Sequence, residues 1–363
     1  MFITSVEYLE KGDNIKIVVQ TKKGGVDATL NVSGTFFKDF FNDEEPYDRK
    51  THVFYVSKKM LESGNTLCLN LKRYKKFNRK YKFTYNPVFA DENGLLEKYD
   101  SKFSVKETEK ETVADGVIYS HFKCTDKNDA PVHVFMLEID SKKASLYTGT
   151  PDDGYENFNV KAKVPEMIDS AVKNGVNVVA AMNADFFDMF GDCHPSGLCV
   201  KNSRVVANPE SKRPFIGVKK DGTPVITDTD ESENIVSELD HAAAGLEMIV
   251  KDGDYFDWAP LEPFSFVRHP RTAAGLKKDG TVILLEVDGR IPEYSNGATL
   301  VDLAKFMIEQ GADRAINLDG GGSSIVYTKN KDGFELRNNP ADLVRPRAKL
   351  IRKEFDALLV VSK

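Results

Sequence analysis

Long apolar runs are missing from this chain. None approaches the roughly 20 residues needed to cross a bilayer, so no membrane span is expected. The N-terminus, Met1-Phe-Ile-Thr-Ser-Val-Glu-Tyr, shows no basic region leading into an apolar core. That reads as a cytoplasmic protein, or one released or virion-associated by another route. Cysteine is scarce: the four residues Cys68, Cys124, Cys193 and Cys199 are too few for a disulfide scaffold. Cys193 and Cys199 are close enough for one bridge but match no common zinc spacing, and free thiols are expected. A positive charge excess is absent as well. The formal net charge of −6 gives no general attraction to nucleic acid. No EF-hand-like spacing appears, and the expectation is that no cofactor is required. A Ca²⁺ or Mg²⁺ held by clustered aspartates stays an open alternative.

What is present is the composition of a soluble globular protein. Hydrophobic residues make up 41% and charged residues 29% of 363 residues, enough for more than one core. Residues 1–90 alternate apolar and polar side chains in short runs such as Ile15-Lys-Ile-Val-Val and Leu67-Cys-Leu-Asn-Leu. Turn residues separate the runs, which predicts a small all-β sandwich. Its stretch Lys72-Arg-Tyr-Lys-Lys-Phe-Asn-Arg-Lys-Tyr-Lys82 interleaves basic and aromatic residues. A solvated hairpin is the expectation there, ahead of a grip on single-stranded nucleic acid or an anionic glycan. Residues 91–111 read as a polar linker and 112–363 as a second, larger domain. The predicted class of that domain is α+β, or mixed α/β, with hairpin-rich sheets and a few helices. Four Lys-Asp-Gly triplets, ending at Gly222, Gly253, Gly280 and Gly333, predict type I′ hairpin turns.

Two stretches carry chemistry. In Ala315-Ile-Asn-Leu-Asp-Gly-Gly-Gly-Ser-Ser-Ile-Val-Tyr327 an apolar strand ends in a carboxylate and three glycines. Three glycines are costly to order, so the backbone must bend sharply or admit a close neighbour. Asn317 and Asp319 leave one face of the strand. Gly320, Gly321 and Gly322 offer N–H groups, and Ser323 and Ser324 offer hydroxyls, a combination that suits an anionic oxygen. Upstream, Val176–Met182 ends in Asn183-Ala184-Asp185. A helix-like segment closed by glycine precedes each Asn-x-Asp. This predicts two helix–strand units with carboxylates at the same end of neighbouring strands. His194, in the loop after Asp185, is a candidate proton carrier. The glycine turn lacks the Gly-Lys-Ser/Thr ending of a nucleotide-binding loop.

Asn183-Ala-Asp-Phe-Phe, Pro195-Ser-Gly, Arg271-Thr-Ala-Ala-Gly, Asp288-Gly-Arg290 and the Asn317-Leu-Asp-Gly-Gly-Gly-Ser element together resemble the phosphodiester glycosidase family. The resemblance covers roughly residues 114–362 and leaves the N-terminal strands outside. In the lysosomal branch of that family a glycine stands where Asp185 does, so the resemblance supports Asp319 more strongly. It implies hydrolysis of a sugar-1-phosphodiester at the anomeric carbon–oxygen bond, with an α-N-acetylglucosaminyl diester as one candidate substrate. Arg271, Arg290 and Arg345 are then candidate phosphate clamps, because guanidinium groups bind phosphate oxygens bidentately. Asp319 is the first choice to face the oxocarbenium-like carbon, and Asp288 or Asp185 to orient water. His194 is a candidate acid. Carboxylates about 5 Å apart favour retention, and wider ones inversion. The competing expectation is a non-catalytic glycan- or phosphate-binding protein of an envelope or virion assembly.

Overall fold

The computed structural model describes residues 3–11, 14–25, 27–38, 49–61, 66–73, 77–85, 103–155, 160–187, 194–208, 213–227, 235–255, 267–344 and 351–363. These fall into two compact units, one within Met1–Asp100 and one within Ser101–Pro260 and Val267–Lys363.

The first unit holds two antiparallel sheets. One is β1 (Ile3–Lys11), β2 (Asn14–Gly25) and β5 (Arg49–Ser57). The other runs β4 (Thr35–Lys38), β3 (Asp27–Val32), β6 (Thr66–Arg73), β7 (Phe77–Thr84). Alternation explains the pairing. Ile15, Ile17 and Val19 of the first sheet and Leu30, Val32, Leu67 and Leu69 of the second share one core. The basic–aromatic stretch lies along paired strands β6 and β7, with Lys80 and Lys82 exposed.

The second unit contains three sheets. The eight-stranded sheet has the order β19 (Asp254–Tyr255), β18 (Met248–Lys251), β22 (Arg314–Leu318), β20 (Arg271–Leu276), β21 (Val282–Val287), β10 (Pro131–Ile139), β9 (Val117–Thr125), β8 (Ser104–Ala114). The last part of the stretch read as a linker therefore lies in β8. A five-stranded sheet follows β11 (Ala144–Gly149), β25 (Ala357–Ser362), β12 (Val178–Asn183), β23 (Val326–Asn330), β24 (Gly333–Leu336). Another follows β14 (Arg204–Ala207), β13 (Cys199–Lys201), β17 (Leu239–Ala244), β15 (Phe215–Lys219), β16 (Pro224–Thr227). One core joins all three, with Leu284, Ile316 and Leu318 from the first, Met182, Val326 and Leu358 from the second, and Ile216 and Ala243 from the third. Each fully buried aliphatic side chain contributes roughly 1.5–3 kcal/mol. The strand ends that carry Asn183, Asp319 and Asp356 are anchored on this core.

The expected α+β or mixed α/β class is wrong. Every strand pair among the described residues is antiparallel, so this is a β protein. Among the described residues α-helix is confined to α1 (Val164–Lys173), α2 (Leu300–Glu309) and the single turn α3 (Ala341–Val344). The two Asn-x-Asp strands are not neighbours either. β12 lies in a five-stranded sheet and β22 in the eight-stranded one. The helices follow local signals: α2 opens with the capping box Asp302 N–H to Thr299 Oγ1 (3.0 Å) and Thr299 N–H to Asp302 Oδ2 (2.9 Å). Helix-then-strand order simply does not fix whether the strand pairs parallel. The turns needed a second correction. Only Asp252-Gly253 has both residues at positive φ (55° and 77°). At the other three triplets only the glycine does. Asp221 and Asp279 each accept the N–H two residues on (2.9 Å), the arrangement of a type I turn closed by a glycine bulge.

Candidate active site

β22 delivers Asp319 at its end, and the chain then turns through Gly320, Gly321 and Gly322. Each glycine answers to a different neighbour. A Cβ at Gly320 would stand 2.7 Å from the Pro270 carbonyl oxygen. Gly321 has φ +67°, and a Cβ there would meet Arg290 Nη2 at 3.0 Å. A Cβ at Gly322 would overlap Arg352 Nη2 and the Asp342 carboxylate. The turn N–H groups expected for an anion are largely committed inside the protein. Gly320 N–H donates to Asp319 Oδ1 (2.9 Å) and Gly321 N–H to Pro270 O (2.9 Å). Ser323 Oγ donates to Asp319 Oδ2 over 2.6 Å. Burial pushes the Asp319 carboxyl up to about 6, against the pull of Ser323, Arg352, the Gly320 N–H and Arg290.

The other Asn-x-Asp closes on the same place from a different sheet. Asn183 Nδ2 donates to Asp319 O (2.6 Å), and Asp319 N–H donates to Ala184 O (3.0 Å). Asn183 Oδ1 accepts from Ile325 N–H (3.1 Å) and Thr272 Oγ1 (3.2 Å). Asp185 is buried. Its N–H donates to Asp356 Oδ1 (2.9 Å), and its Oδ2 accepts from Gly197 N–H (3.0 Å). Burial, then the neighbouring Asp356 charge, holds Asp185 well above the usual carboxylate range. Burial likewise raises Asp356 to about 6. Glu354 is 2% exposed, and burial with the Asp319 charge pushes it up to about 8. The Asp319 charge thus acts on Glu354 and Asp356, and the Asp356 charge on Asp185. Arg352 binds Asp342 (Nη2–Oδ2 2.8 Å) and reaches Ser323 Oγ (3.3 Å). Arg213 acts on Asp185 from the other end.

Residues 176–351 match the family model described as phosphodiester glycosidase. That segment is similar to the phosphodiester glycosidase family. Mouse N-acetylglucosamine-1-phosphodiester α-N-acetylglucosaminidase is 29% identical over 173 residues, 43% of this chain and 32% of that protein. The human enzyme of the same name is 27% identical over 164 residues, 40% of this chain and 30% of its own. A Bacillus subtilis SPβ prophage-derived protein, YomE, is 40% identical over 84 residues, 22% of this chain and 12% of that protein. The matched segment spans no more than a third of these relatives. Among solved structures, the zebrafish enzyme's catalytic domain superposes with a TM-score of 0.55 at 22% identity, covering 72% of this chain and 89% of that one. A hypothetical protein from Synechocystis gives a TM-score of 0.54 at 11% identity, covering all of this chain and 80% of that one. Both likenesses concern the fold.

Within the second unit the remaining candidates separate by environment. Arg290 is exposed, holds φ +64° and lies beside Gly321, close enough to favour the charged form of Asp319. Arg271 is 2% exposed and donates to the carbonyls of Ala298 (Nε, 3.2 Å) and Val267 (Nη2, 2.9 Å). Burial lowers it to about 9. Asp288 ends β21 with its carboxylate enclosed. Oδ1 accepts from Asn338 Nδ2 (2.9 Å), and Oδ2 accepts from Asn339 N–H (2.7 Å) and Tyr294 OH (3.1 Å). Asn317 is fully buried, with Nδ2 on Glu247 Oε2 (3.1 Å). Ser324 is buried and shares a hydrogen bond with Thr272 Oγ1 (3.2 Å). His194 is exposed. Arg345 and Cys193 lie outside the described residues, and Cys68, Cys124 and Cys199 are free thiols. Among the described residues no three His, Cys, Asp or Glu side chains gather as a metal-ligand set, and no helix is long and apolar enough to cross a membrane.

Sequence reasoning missed Arg213, Arg352, Glu354 and Asp356. A signal for the last two was present. In Arg352-Lys-Glu-Phe-Asp356 the acids alternate just before the buried strand Ala357–Val361, as Asp319 abuts the buried strand Ala315–Leu318.

Proposed function

We propose that this site hydrolyses a glycosyl phosphodiester at the anomeric carbon–oxygen bond, releasing the sugar and a phosphomonoester. One observation carries the reading: the Asp319 carboxylate is fixed by Ser323 and the Gly320 N–H, with Arg352 and Arg290 acting on it and the carboxyls of Glu354 and Asp356 buried. In such a substrate the leaving group keeps the phosphate charge, so it departs without a strong acid. The need is instead for a cation on the phosphate and an anion at the sugar carbon. Arg290, exposed and next to the glycine turn, fits the first role. Asp319, with its carboxyl at about 6, is mostly ionised at neutral pH and fits the second, stabilising the oxocarbenium-like carbon and taking a proton from the attacking water. Asn183 and Asp185 hold the wall behind it. The mouse and human relatives are named for an α-N-acetylglucosaminyl substrate, which makes that diester the first to test.

The experiment is a panel of glycosyl-1-phosphate diesters incubated with the purified protein, scored for free sugar and phosphomonoester. Turnover that is lost in Asp319→Asn while binding persists supports hydrolysis. Binding without turnover of any diester by the unaltered protein supports the glycan- or phosphate-binding alternative.

A further inference from the structure

Glycine and arginine stand in inverted places after Asp288. Gly289 is where space is short. A Cβ there would lie 2.7 Å from Pro270 N, 2.8 Å from Gly297 Cα and 3.0 Å from His269 C, although its φ is outside the left-handed region. Arg290 is where the backbone turns left-handed, at φ +64°. In that region the Cβ of an L-residue crowds the following carbonyl oxygen, a penalty glycine escapes. A second glycine at 290 would fit the backbone better, so the arginine is there for its side chain. Arg290 is exposed, and its guanidinium meets the triglycine turn. A Cβ at Gly321 would stand 3.0 Å from Arg290 Nη2 and 3.2 Å from Nη1.

Two anchors set the course of that arginine. Pro270 is closed in from both ends. A Cβ at Gly289 would stand 2.7 Å from its nitrogen, and one at Gly320 would stand 2.7 Å from its oxygen. Gly321 N–H also donates to that oxygen (2.9 Å). Backbone contact through Pro270 thus brings the Asp288-Gly289-Arg290 bend against the glycine turn, and a side chain at 289 or 320 would push the two apart. Asp288 is the second anchor. Its N–H donates to His133 O (3.1 Å), and its carbonyl accepts from Ser295 Oγ (2.6 Å). With the three bonds that its carboxylate accepts from Asn338, Asn339 and Tyr294, every polar atom of Asp288 is engaged. We propose that Asp288 and Gly289 are positioning residues for Arg290, and that Arg290 holds its left-handed backbone because its guanidinium, set beside Gly321, selects a substrate with an anionic leaving group. The substrate half of this rests on the hydrolysis proposed above; the anchoring and the binding of an anion do not.

Urea midpoints of Arg290→Gly and Arg290→Ala test the backbone, since both lack the guanidinium and differ in their tolerance of a positive φ. Arg290→Gly is expected to be the more stable of the two; an equal or lower midpoint overturns the left-handed constraint. Calorimetric titration with inorganic phosphate tests the guanidinium. Unmodified protein is expected to bind phosphate, and Arg290→Ala to bind it about 10–100-fold more weakly. Equal affinity, or no binding by unmodified protein, overturns the anion site. The same titration on Asp288→Asn and on the milder Tyr294→Phe, which keeps the ring and removes one donor to Asp288, tests the positioning. Both are expected to lose phosphate affinity while folded by circular dichroism. A lowered urea midpoint with phosphate affinity unchanged in both would mean that Asp288 is structural only, and overturns its positioning role. Turnover of a glycosyl phosphodiester separates this inference from the reading it rests on. Phosphate affinity lost in Arg290→Ala, with no diester turned over by unmodified protein, refutes the hydrolysis and leaves the anion site standing. Turnover at the same kcat/KM in Arg290→Ala and unmodified protein refutes the role of Arg290 and leaves the hydrolysis standing.

Discussion

Asn183 Nδ2 donates to the main-chain oxygen of Asp319 over 2.6 Å, tying the end of β12 in one sheet to the end of β22 in another. The same side chain accepts from Ile325 and Thr272. A single amide therefore sets where the two arms of the site meet. Asn183→Ala removes the side-chain partner of the Asp319 carbonyl and the Ile325 N–H, at about 1–3 kcal/mol for an unpaired group. The expected outcome is a lower urea midpoint together with a fall in kcat, checked by chemical denaturation and turnover on the same preparation.

The glycine turn makes a position-specific prediction. Gly322→Ala drives a methyl into Arg352 and Asp342, so it is expected to lower kcat/KM by at least about tenfold by displacing the cation that steadies Ser323. Gly175→Ala serves as the comparison. It follows α1 at φ +88° with open space around it, and should cost about 1 kcal/mol of stability without touching turnover.

Asp288 and Asp319 look alike in sequence but occupy different environments. Asp288 accepts three hydrogen bonds and is 1% exposed. Asp288→Asn turns an amide N–H₂ toward donors, with an expected loss of about 1–3 kcal/mol in stability and an unchanged pH profile of kcat/KM. Asp319→Asn is expected to fold normally and lose turnover by about 10²–10⁴-fold.

Stability should fall on the alkaline side of neutrality. Glu354 is held at about 8, and Asp319 and Asp356 at about 6, all above their unfolded values. Folding retains protons that the unfolded chain has released, so this contribution is present at low pH and lost as pH rises through those values. Half-buried His133 and His269 and buried His241 are lowered to about 4 and act oppositely, but only below about 6.5. Between pH 6.5 and 8.5 the carboxyls decide the sign. Urea midpoints at those two pH values are expected to drop in unmodified protein and to differ much less in Glu354→Gln.

Much of the site was legible because its signals are local. Three consecutive glycines after a carboxylate, an asparagine two residues before it, and the capping box of α2 each declare themselves within a few residues. The sheet order is not local. A buried strand such as Val178–Asn183 reads the same whether its partner runs parallel or antiparallel, and its partners β23 and β25 come from far along the chain. The same distance hid Arg352, whose partner Ser323 lies 29 positions away. Arg271 misled for a related reason. Its charge suggests a phosphate clamp, but the carbonyls of Val267 and Ala298 that hold it carry no signature in the sequence.

The most direct measurement is hydrolysis of an α-N-acetylglucosaminyl phosphodiester in water enriched with oxygen-18. Attack at the anomeric carbon beside Asp319 places the label in the released sugar and none in the phosphomonoester. Label in the phosphomonoester, or label in the sugar that persists at the same rate in Asp319→Asn, contradicts the account.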